Sequence, residues 1–82
     1  MTSADLIRTL GETLYGEGWR ARLCLAIGVN DRQMRRWLSG AHEPPQGVWD
    51  DLVDLCLTRI ALLDGLIDTI DRHVAPQTPL PV

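Results

Sequence analysis

The sequence predicts an all-α fold, a compact bundle of three short helices plus one long C-terminal helix. Apolar residues recur at three- and four-residue steps, from Leu6 to Leu14 and again from Trp49 to Val74. Glycines at 16, 18, 28 and 40 and the Pro44-Pro45 pair punctuate the chain between those runs. Residues that cap helices, Thr2 or Ser3 and then Asn30, stand where helices should begin. A chain of 82 residues, 45% apolar, has room for one domain with one small core. With three Trp, one Tyr and no Phe, that core must be mostly Leu, Ile, Val and Ala. Below about 80 residues a core supplies only a few kcal/mol, so small domains often oligomerise.

The first helix starts at a Thr2 or Ser3 cap with Asp5 in its first turn, and Leu6, Ile7, Leu10 and Leu14 share a face. Gly16 and Gly18 end it. Trp19 to Ile27 reads as a second helix with Leu23, Cys24 and Ile27 inward, closed by Gly28, which is suited to φ > 0. Asn30 then caps a third helix over about 31–39, and Gln33, three residues on, completes the N-x-x-Q pattern of a capping box. Met34, Trp37 and Leu38 face inward; Asp31, Arg32, Arg35 and Arg36 face outward. After the stiff loop AHEPPQG comes a long helix over about 48–74, roughly 40 Å at 1.5 Å per residue.

On that helix Trp49, Leu52, Cys56, Ile60, Leu63, Ile67, Ile70 and Val74 form a coiled-coil-like seam, widened by Leu55, Leu62 and Leu66. The three short helices cannot cover so long a stripe. Either the helix breaks near Gly65 and folds back, or its distal half meets a second copy; the second is favoured because a symmetric dimer is the commonest cover for such a face. The expected dimer interface is Ile60, Leu63, Leu66, Ile67, Ile70 and Val74. Residues 75–82, APQTPLPV, read as a disordered or extended Pro-rich tail.

The charge is unevenly placed. The net charge is −3, and every basic residue is an arginine. Residues 1–42 hold six Arg against four acids, whereas 43–82 hold two Arg against seven acids. A local basic excess is an electrostatic footprint whatever the total charge. The excess lies just after a capped turn between two short helices. That is a helix-turn-helix, whose second helix can enter the DNA major groove and offer arginine forks to guanine or phosphate.

The stretch Leu23-Cys24-Leu25-Ala26-Ile27-Gly28-Val29-Asn30, followed by Met34, Trp37, Leu38, Ser39 and Gly40, resembles the lambda-repressor/Cro-type (XRE-like) helix-turn-helix. Cys24 stands at the small position where the two helices cross, Asn30 replaces the usual Ser cap and Met34 the usual Val. The resemblance covers roughly residues 19–45. It implies base contacts from Asn30, Asp31, Arg32 and Arg36, with Arg35 on a base or a phosphate, and backbone contacts from Arg20 and Arg22. Gln33 would be occupied in the cap. The family usually has five helices, so a three-plus-one plan leaves the dimer geometry open. Compact regulators of phages and mobile elements, anti-CRISPR-associated repressors among them, share this plan.

Each feature has a plainer reading. The arginines could be a solvated face, and Asp31 could serve only the helix dipole. Trp37 and Trp19 belong to the core by their positions rather than to a stacking surface. His42 follows the recognition helix and is placed to touch a phosphate or to stand in solvent; His73 lies near a helix C-terminus.

Cys24 and Cys56 lie in apolar segments without metal spacing and read as buried free thiols of a cytoplasmic protein. No signal-peptide pattern or run near the ~20 residues of a membrane span is present. No phosphate-cradling loop, nucleophile motif or metal cluster is visible, so no enzyme activity, cofactor or metal is expected.

The expected division is 1–47 for helix-turn-helix DNA binding, 48–74 for core completion and dimerisation, and 75–82 for the tail. The expected function is a dimeric repressor that reads an inverted repeat in double-stranded DNA. The rival is a small interaction module, antitoxin- or inhibitor-like, docking its acidic C-terminal helix on a basic partner; a purely structural helical oligomer is a second.

Overall fold

The computed structural model describes residues 1–75; the Pro-rich segment from Pro76 onward, expected to be disordered or extended, lies outside the described residues. Four helices follow in order: α1 (Ser3–Tyr15), α2 (Trp19–Ile27), α3 (Asp31–Leu38) and α4 (Gln46–Val74). No strand occurs among the described residues. The all-α plan of three short helices and one long one is thus as the sequence predicts.

Thr2 caps α1 with a full capping box. Its hydroxyl accepts from the Asp5 N–H at 3.1 Å, and its own N–H donates to Asp5 Oδ2 at 3.2 Å. The α2–α3 turn closes on Gly28 at φ 71, whose N–H donates to the Cys24 carbonyl, joined there by the Val29 N–H at 3.0 Å. Asn30 is extended and accepts from the Gln33 N–H at 2.8 Å. The box expected there is only half present, because no Gln33 side-chain bond is made among the described residues. A neutral, flexible amide gains little from one exposed N–H that water serves equally well, whereas the Asp5 carboxylate makes a charge-assisted bond.

The core is Ile7 of α1, Leu23 and Cys24 of α2, Met34 and Trp37 of α3, and Val48 and Leu52 of α4. All but Val48 come from positions that helical spacing marks as inward; on α4 the first buried residue is Val48, one turn before Leu52, and Trp49 is only half-buried. Leu6 is the exception on α1: it is 44% exposed, on the open side towards α4. The α2–α3 pair packs on α1, and α4 joins mainly through α2. Ser3 Oγ donates to Glu43 Oε2 at 2.6 Å and fastens the loop before α4 to the start of α1.

The long helix runs unbroken for 29 residues, through Gly65, so the fold-back alternative does not hold. It also starts two residues before Val48, since Pro45, extended at φ −68, can precede a helix and its carbonyl accepts from the Val48 N–H at 3.0 Å. The bundle reaches only to about Arg59, which lies 5.7 Å over the Tyr15 ring at the end of α1. A 13-residue α1 spans about 20 Å at 1.5 Å per residue, half the length of α4. Beyond it, Ile60, Leu63, Leu66, Ile67, Ile70 and Val74 are all exposed.

Candidate nucleic-acid interface

α3 is presented by its packing. Met34 and Trp37 are 0% and 2% exposed, so the helix cannot roll without opening the core. At 100° per residue, Arg32, Arg35 and Arg36 then fall within an arc of about 100° on the opposite side. All three are exposed.

Asp31, the first residue of α3, links this face to α2. Arg20 Nε approaches its Oδ1 at 2.9 Å and Arg35 Nε approaches its Oδ2 at 2.9 Å. These groups are about half exposed, and such pairs are worth about 0–1 kcal/mol. Their effect is geometric: one carboxylate sets two guanidinium groups, from different helices, at the α2–α3 junction. Among the described residues no ion pair engages Arg22, Arg32 or Arg36. Arg32 and Arg36 are an i,i+4 like-charge pair, unfavourable by about 0.2–0.5 kcal/mol, while the α3 C-terminal dipole favours Arg35 and Arg36.

The other expected contacts gather round the same helix. Asn30 spends its carbonyl oxygen on the cap and keeps its NH₂ at the surface. His42 is exposed and held beside the end of α3, its N–H donating to the Arg36 carbonyl at 3.3 Å. Arg20 and Arg22 stand at the start of α2, where a depression of about 380 Å³ is lined by Gly18, Trp19, Arg20, Ala21 and Asp31. No side chain caps α2 at Gly18, so its first N–H groups have no side-chain acceptor. The six residues expected at a dimer interface lie apart from this cluster, on the far half of α4.

Gln33 is a residue the sequence reasoning set aside. With its side chain outside the cap, it lies exposed beside Arg32 and Arg36. Only the tertiary structure separates a Gln that closes a capping box from one that does not.

Among the described residues no group of His, Cys, Asp and Glu is arranged to hold a metal ion, and no helix is long and apolar enough to cross a membrane. No protein-family profile matches this sequence, and no curated protein or solved structure matches it significantly.

Proposed function

We propose that this chain is a sequence-specific DNA-binding regulator, a dimeric repressor that lays α3 in the major groove at each half of an inverted repeat. One observation carries the reading: three arginines share the outward arc of a helix whose other side is locked into the core, and two of them lack an acidic partner among the described residues. The like-charge pair on so short a helix does nothing for stability, and a phosphate backbone or a guanine edge would relieve it. The resemblance to the lambda-repressor/Cro-type helix-turn-helix agrees with this but stands on sequence pattern.

Within the proposal the roles divide. Arg32 and Arg36, with Gln33 and the Asn30 amide, read base edges. Arg20, Arg22 and His42 meet phosphates, joined by the uncapped α2 N-terminus. Asp31 positions Arg20 and Arg35 and is not itself a reader. Repression would be steric, by occupation of a promoter. The rival, an acidic interaction module, draws on Asp64, Asp68 and Asp71 of α4.

The test is selection from random duplexes at about 50 and 200 mM salt, with wild type, an Arg32/Arg35/Arg36→Ala variant and an Asp64/Asp68/Asp71→Asn variant. The expected result is an enriched inverted repeat for wild type and the Asn variant, lost in the Ala variant. The salt slope should fall by about 1 per phosphate contact removed, and each base contact should cost about 1–3 kcal/mol. If wild type and the Ala variant behave alike, the reading is wrong and the acidic helix becomes the place to look for a partner.

A further inference from the structure

The far half of α4 is a bare helix with one apolar side. Between Ile60 and Val74 its large apolar residues are 42–62% exposed. Scattered exposed apolar residues are ordinary; a continuous stripe along a free helix marks a contact surface. Towards the bundle the stripe runs into an apolar groove of about 290 Å³, walled by Leu6 and Leu10 of α1 and by Trp49, Val53, Cys56 and Leu57 of α4. The half-open Leu6 belongs to that groove.

Heptad positions say what covers the stripe. With Ile60 at a, the a positions are Val53, Ile60, Ile67 and Val74, and the d positions are Cys56, Leu63 and Ile70. Every a residue is β-branched and the central d residue is Leu63, the combination that favours two parallel strands, with Cys56 and Ile70 at the outer d positions. One flanking pair, Arg59 with Asp64, points the same way. In a parallel, in-register pair each g position faces the e position five residues on in the other chain. Arg59 then opposes Asp64 of the partner subunit, and Leu66 opposes Asp71 of the partner subunit. In an antiparallel pair centred on the exposed stripe, e faces e, and Asp64 meets Asp64 of the partner subunit. Asp68 and Arg72 pair with each other on the outer face, away from the seam.

We propose that α4 forms a parallel, in-register two-stranded coiled coil with α4 of a second copy, from Val53 to Val74, with the α1–α4 groove as its base. The inference rests on the dimer in the proposed function and supplies its geometry. Both α3 helices then lie at the same end of the assembly, as one operator requires, and the two-fold axis runs along the coiled coil. A left-handed seam fits the drift of these positions round a straight helix, about 20° per heptad.

The test uses the full chain without DNA, so its outcome is independent of the operator selection. Light scattering should give wild type twice the 9.2 kDa chain mass. Ile67→Asp, which places a charge in an a layer remote from the bundle core, should raise the dimer dissociation constant by at least about 100-fold while leaving the near-ultraviolet signal of the bundle tryptophans in place. Register is read by diamide oxidation of a Val74→Cys variant followed by peptide mapping. A parallel pair links like positions, 56 to 56 and 74 to 74, and the 56 link is lost in Cys56→Ser. A link joining position 56 to position 74 would mean antiparallel helices. That result overturns the proposal, as does a monomeric wild type, a trimer or tetramer, or a dimer that forms no link between like positions.

Discussion

Gly11 occupies the middle of α1, where a glycine is usually a defect, because the indole of Trp19 lies against it. A methyl group there would stand 2.1 Å from Trp19 Cε3 and 2.6 Å from Cδ2. Alanine would gain about 1 kcal/mol of helix propensity, but overpacking typically costs about 1–3 kcal/mol. The obstacle is a rigid ring rather than a flexible tip, so Gly11→Ala should lower the urea midpoint; a raised midpoint would show that Trp19 does not pack there. Thr2 and Asp5 give a pH signature. Asp5 is held below its ordinary 3.8, first by the Thr2 backbone N–H, then by the Thr2 side chain, with Arg8 adding a smaller push. A carboxyl lowered in the folded state contributes stability that is present above the ordinary value and lost as pH falls through the folded one. Thermal unfolding of wild type and Asp5→Asn should therefore differ at neutral pH and converge below about pH 3.8. A gap that persists in acid would exclude the capping-box charge as its source. Cys24 behaves oppositely: burial pushes its thiol up, with the charge of Asp31 adding to the rise and Arg20 opposing it.

Among the helices, α3 was the most legible. Its cap, its inward pair Met34 and Trp37 and its outward arginines all follow from one period, and the tertiary contacts agree. Its half-formed cap was not legible, because the same N-x-x-Q letters allow either state of Gln33. α1 was read correctly except at Leu6, whose place on the apolar arc is real but whose neighbour, α4, stands too far off to cover it. α4 resolves the choice that Gly65 left open. Gly65 lies on the side opposite the seam, nothing approaches the place of its missing Cβ within 4 Å, and the Thr69 hydroxyl donates to its carbonyl at 2.9 Å as in any continuous helix. Gly65→Ala should then stabilise the chain by about 0.5–1 kcal/mol, by the ordinary helical preference for alanine. Thermal melts followed at 222 nm would check it; no gain, or a loss, would indicate a kink that needs the glycine.

Over the molecule as a whole, charge and apolar surface are sorted to opposite ends. The arginine-rich α2–α3 corner is at one end and the acidic, apolar-striped tail of α4 at the other. In the proposed assembly this keeps Asp64, Asp68 and Asp71 away from DNA while the exposed stripe is closed by a second copy. The sequence by itself determined the helix count, the turn at Gly28, all the core positions but Val48 and the segregation of charge, because each is set by local spacing, capping and composition. Tertiary structure decided which of those potentials are spent. It joined Arg20, Asp31 and Arg35 across two helices, left Arg22, Arg32 and Arg36 without acidic partners among the described residues, and ended the bundle near Arg59. The physical reason is reach: a period tells which side of a helix is apolar, but only the lengths and angles of its neighbours tell how much of that side is covered.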